Sequence, residues 1–180
     1  MWTSLAAPSH KGRLHVAYYT VPLLLALALG QSTVMPYFRV FGVMPNLMLM
    51  AVVAWTLLRG PGEGIVWGFI GGIALDLFSR APLGVSALAL VIVGYLSSFA
   101  ERTLYRDHAA LPLAVILIVT PIYDMLTLLL LQLTGQRVEV LGSLLYFTLP
   151  ATVIHVVLML PVYHALAWLH RTTRRREVHL

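Results

Sequence analysis

Three ionisable side chains interrupt long apolar runs, and any chemistry would start from them: Asp76, Asp124 and His155. A carboxylate or imidazole is costly to place in such a run, so it marks either a functional group or one with a fixed partner. At the helical rise, Asp76 sits about 6 Å inside the end of its segment, Asp124 about 13 Å and His155 about 18 Å. Arg80 follows Asp76 by four residues, within reach as an i, i+4 pair. Functionally, Asp76 would anchor a partner helix or contact a ligand; structurally, it would be a cap or a salt-bridge carboxylate inside the fold. Asp124 and His155 would pair if their helices face each other. A shared proton there would serve proton or substrate handling, and the plainer reading is a structural hydrogen bond. Pro121, one turn before Asp124, frees the Leu117 carbonyl and opens the helix locally.

Signatures of catalysis are missing. The chain has no H-E-x-x-H, no G-x-S-x-G elbow and no Walker loop. Its seven histidines are scattered, with no i, i+4 pair to suggest a metal site. Cysteine is absent, which excludes disulfides, thiolate metal sites and cysteine nucleophiles. No catalytic residue, cofactor or metal is expected.

The elements that position these residues follow from composition. Of 180 residues, 59% are hydrophobic and only 11% charged, whereas soluble domains carry about 25% charged residues. Mean hydropathy is +0.86. The expectation is an all-α, polytopic membrane bundle of about six transmembrane helices forming one domain over 15–169. A cytoplasmic leader, 1–14, precedes it and a basic tail, 170–180, follows.

The first span covers His15 to Met35, with Pro22 inside. Ala28-Leu29-Gly30-Gln31 has a faint likeness to a signal-peptidase site, but the apolar run is long enough to span. Asn46 should cap the second helix, Leu47 to Leu58. That span is short, and crosses only if Val43 and Met44 reach one interface while Arg59 snorkels at the other; otherwise it is re-entrant. In the third, Gly64, Gly68, Gly72 and Asp76 recur every four residues, giving one bare helical face. Such a face is a seam for close helix approach, either to a partner or within the bundle. The fourth span is expected over Val85 to Ala100, the fifth over Ala109 to Leu133, and the sixth over Ser143 to Leu169 with Pro150 and Pro161 inside. Trp2, Trp55, Trp67, Trp168, Tyr37 and Tyr105 read as interfacial belt residues.

Six spans place both termini on one side. That side would hold Lys11, Arg13, Arg59, Arg102, Arg106, Arg171, Arg174, Arg175 and Arg176, against Arg39, Arg80 and Arg137 opposite. The positive-inside rule then puts both termini in the cytoplasm. The net charge of +5 is assigned to topology and to anionic lipid at the tail, not to nucleic acid.

Pro45-Asn46-Leu47 opening a span, followed by Gly68, Gly71, Gly72, Leu75-Asp76, Ser79, Leu83-Gly84 and Leu88, resembles the bacterial rod shape-determining MreD family. Length, six-span layout and basic tail are similar as well. The resemblance implies a non-enzymatic scaffold of the cell-elongation complex in the inner membrane. It would bind a bitopic MreC-type protein and, through it, the MreB-type actin-like filament, beside a SEDS glycosyltransferase and its class-B penicillin-binding partner. It also implies a fold similar to the substrate-binding subunits of energy-coupling-factor transporters. The alternative is therefore a vitamin-type uptake subunit with its ligand near Asp76 and Asp124. From the matched motif, Asn46, Gly68, Gly72 and Asp76 are expected in fold integrity or partner contact; Gly64, Asp124 and His155 join them from spacing and polarity.

Overall fold

The computed structural model describes residues 10–38, 42–79, 82–103, 110–136, 142 and 144–174, with the backbone alone described at 10–19, 100–103, 144–145 and 173–174. All the regular structure among them is helical. Six long helices follow in order: α1 (His10–Thr33), α2 (Leu47–Arg59), α3 (Pro61–Phe78), α4 (Val85–Thr103), α5 (Leu111–Leu133) and α6 (Leu149–Arg174). Each overlaps one of the six apolar segments of the sequence, although α1 begins at His10, inside the expected leader, and α6 runs to Arg174, inside the expected tail. A single 3-10 turn, Met35–Tyr37, follows α1. One difference comes at the sixth segment, where a continuous helix from Ser143 is expected. A five-residue π-helical turn, Leu144–Thr148, precedes α6 instead. Pro150 lies just past this change of pitch, where a residue without an N–H is more easily placed than in mid-helix.

The short α2 is the centre of the bundle. Every residue from Met48 to Leu57 is buried, as expected of a helix that is apolar on all sides. It packs against each of the other five helices. Around it α3 meets α4, α4 meets α5, α5 meets α6, and α1 lies on α3. Among the described residues α1 and α6 do not pack together, so the ring is open between them.

Among the described residues, length and apolar composition together mark three stretches as able to cross a membrane: Thr20–Tyr37, Leu111–Leu133 and Tyr146–Thr172. α2 falls short because its 13 residues reach only about 20 Å, against a hydrocarbon core of about 30 Å. Its neighbours, not its length, keep it out of water.

Two tight features set α3 in place. Gly60, at φ 91°, is the only residue between α2 and α3, and its N–H bonds the Thr56 carbonyl at 2.8 Å. Pro61 then begins α3, where its missing N–H costs nothing. Along α3 the glycine face lies against the same chain. A Cβ on Gly68 would come 2.6 Å from the Leu90 carbonyl oxygen, one on Gly72 would run into the Ala87 backbone, and one on Gly64 into the Thr56 side chain. Of the two expected uses of this seam, internal closure is the one present. Gly94 of α4 completes it, because a Cβ there would stand 2.9 Å from the Gly64 carbonyl oxygen.

Candidate functional site

Asp76 ends this seam as a helix cap supplied from outside the helix it caps. The first N–H groups of any helix lack intrahelical acceptors, and Gly84, which precedes α4, has no side chain to offer. The Asp76 carboxylate serves in its place: Oδ2 accepts from Gly84 N at 2.8 Å and Ala87 N at 3.4 Å, and Oδ1 from Ser86 N at 3.0 Å. The residue is 3% exposed. Negative charge at a helix N-terminus also meets the positive end of the helix dipole. Arg80, the expected ion-pair partner, lies outside the described residues.

A second polar cluster gathers on the N-terminus of α2. Asn46 caps it as expected, Oδ1 accepting from Leu49 N at 3.0 Å. Gln31 of α1 joins from the side, donating Nε2 to Asn46 Oδ1 at 2.9 Å and accepting from Met48 N at 2.9 Å. His155 of α6 accepts the Asn46 N–H on Nε2 at 2.8 Å. A backbone amide can only donate, so Nε2 carries no proton and the neutral ring holds its hydrogen on Nδ1. That nitrogen is 3.1 Å from Thr120 Oγ1 on α5. Four helices are thereby tied through one helix end. Spacing alone points to Asn46 and His155; Gln31 and Thr120 enter only through contacts made across helices.

Asp124 and His155 do not bond each other. His155 is engaged by Asn46 and Thr120, while the neighbour of the Asp124 carboxylate is the Thr148 hydroxyl. Both residues nevertheless line one cavity of about 940 Å³. Its walls come from the C-terminal ends of α1 and α3, the N-terminal ends of α2 and α4, and the facing parts of α5, the π turn and α6. Asp76 is not among the lining residues, although Leu75, Phe78 and Ser79 beside it are. A ligand pocket shared by Asp76 and Asp124 is therefore not what the fold builds, because the Asp76 carboxylate is turned to α4. Among the described residues no three His, Asp or Glu side chains come together as metal ligands.

At the other end of the bundle a clasp closes the α2–α3 turn. Trp55 and Trp67 stack with centroids 4.1 Å apart and planes 12° from parallel. Arg59 lies over the Trp55 ring at 5.2 Å and bonds Glu63 at 3.2 Å, and Trp55 Nε1 donates to Glu63 at 3.0 Å. The belt position expected for these two tryptophans does not hold, since both are buried. The aromatic pairing and the ring–cation contact favour this enclosed site over the interface. Tyr37 and Trp168 are exposed, as belt residues would be, and Trp2 and Tyr105 lie outside the described residues.

The family described as rod shape-determining protein MreD has a sequence model that matches residues 13–171. No solved structure matches the chain, so the expected likeness to energy-coupling-factor subunits has no solved fold behind it.

Proposed function

Since the chain belongs to the MreD family of rod shape-determining proteins, its role lies in cell-shape determination, and we propose that it acts there as a non-enzymatic membrane scaffold. It holds a bitopic MreC-type protein and thereby links the MreB-type filament to the SEDS glycosyltransferase and class-B penicillin-binding protein of the elongation complex. The observation that carries this reading is how the interior polar groups are spent. Asp76 and His155 are committed to backbone N–H groups at the ends of other helices and Asn46 to one at the start of its own, which leaves them holding the fold and not reacting with a substrate.

In this reading all six helices cross the inner membrane, with α2 sheltered by the other five. Both termini and the basic tail then lie in the cytoplasm, the tail against anionic lipid, a reading supported by the charge asymmetry of the sequence. The cavity then opens toward the outer face. The glycine seam is occupied by α4, so a partner span must meet the bundle elsewhere. The open flank between α1 and α6 is the natural entry. Purification in mild detergent after co-expression with the MreC-type protein tests the proposal. Stoichiometric retention of that protein is expected; recovery of the chain alone, folded and without any elongation protein, would overturn it.

A further inference from the structure

Beyond the scaffold reading, and independently of it, we propose that the 940 Å³ cavity is a receptor site for a protonated amine, with Asp124 as its counter-charge. The carboxylates of the fold are unequally matched. Asp76 receives three backbone N–H groups, and Glu63 receives Arg59 and the Trp55 indole. Among the described residues, the side chain beside the Asp124 carboxylate is the Thr148 hydroxyl. No lysine or arginine among the described residues lines the cavity. Asp124 is half-buried on the cavity wall, and a carboxylate facing a mainly apolar space is favoured there by a cationic partner.

Several of the other polar groups of the cavity are already engaged. Gln31, Asn46 and His155 form the cluster on α2, and the Thr127 hydroxyl bonds the Tyr123 carbonyl at 2.9 Å. Among the described residues, the Asp124 carboxylate faces a space lined by Tyr123, Phe147, Phe78 and two methionines. Aromatic faces attract organic cations, and the volume is that of a small-molecule pocket, not of a bare ion. α1 and α6 both line the cavity but do not pack together, so an amine could arrive free from solution or on a lipid headgroup through the open flank. The ammonium chemistry is the same from either source.

The test uses the full chain in nanodiscs. Phenethylamine and its uncharged isostere 2-phenylethanol are compared by thermal shift and by binding to the wild-type chain, Asp124→Asn and Asp124→Glu. The wild type is expected to prefer the amine by about 10- to 100-fold, the range for a hydrogen bond to a charged group. Asp124→Asn should lose that preference, while Asp124→Glu should keep part of it. A second arm compares nanodiscs containing phosphatidylethanolamine with discs of phosphatidylglycerol alone, reading retained lipid by native mass spectrometry. Preferential retention of the ethanolamine lipid, lost in Asp124→Asn, would assign the amine to lipid; amine preference in the first arm alone would assign it to a free ligand. Equal binding of amine and alcohol by the wild type, with no lipid preference, overturns the proposal, as does unchanged preference in a folded Asp124→Asn. Should that variant fail to fold, the wild-type discrimination and the glutamate variant still decide.

Discussion

Replacing Asp76 by asparagine tests the seam where it is most demanding. The substitution keeps the shape, removes the charge and converts one acceptor into a donor. If the amide oxygen takes the Oδ2 position, Gly84 N and Ala87 N keep an acceptor and Ser86 N faces an NH2 group. If it takes the other position, the 2.8 Å bond from Gly84 is lost instead. Either way at least one buried N–H is stranded at about 1–3 kcal/mol, and the surviving bonds lose their charge assistance. The expected total is about 2–4 kcal/mol, which for a chain of this length corresponds to a fall in Tm of roughly 4–16 °C. The assay is thermal unfolding in detergent, followed by the fraction that remains monodisperse on size exclusion. An Asp76→Asn protein as stable as the wild type would refute the capping argument.

Other variants probe separate parts of the same account. Gly68→Ala places a methyl against the Leu90 backbone carbonyl, which cannot swing aside. α3 and α4 must separate, and about 1–3 kcal/mol should be lost in the same unfolding assay; Gly62→Ala, with nothing within 4 Å, should lose nothing. His155→Leu strands the Asn46 N–H and should lower stability by about 1–3 kcal/mol, with faster amide exchange at the start of α2 as the local sign. The absence of native cysteine makes topology directly readable. Gln136→Cys should react with an impermeant maleimide on intact spheroplasts, and Thr172→Cys only after lysis; the reverse pattern would invert the orientation.

Much of this fold can be read from the chain because each helix is a separate apolar run bounded by its own stop signals. Gly60-Pro61 ends one helix and begins the next, and Asn46 caps where a short acceptor side chain before an apolar run should. The four-residue repeat of Gly64, Gly68 and Gly72 reveals a face built for close approach. It does not reveal which helix fills that face, because periodicity fixes rotation about one axis and says nothing of the neighbour. For the same reason, spacing suggests pairing Asp124 with His155, although His155 meets a backbone N–H from a helix more than a hundred residues away in sequence. The shortness of α2 reads as doubt about crossing, and chain order does not show that five other helices bury it. Trp55 and Trp67 look like belt residues for a comparable reason, since their stacking depends on the turn that brings α3 back along α2.

Site-specific photo-crosslinking in living rod-shaped cells bears most directly on whether this bundle works by adhesion. A crosslinking residue is placed in turn at exposed positions such as Leu25, Leu88 and Val157, and at the fully buried Val53. The scaffold account predicts adducts with a single-span elongation protein along one contiguous outer flank, and none at Val53. A full scan that captures no elongation protein anywhere, in cells that keep their rod shape, would contradict it.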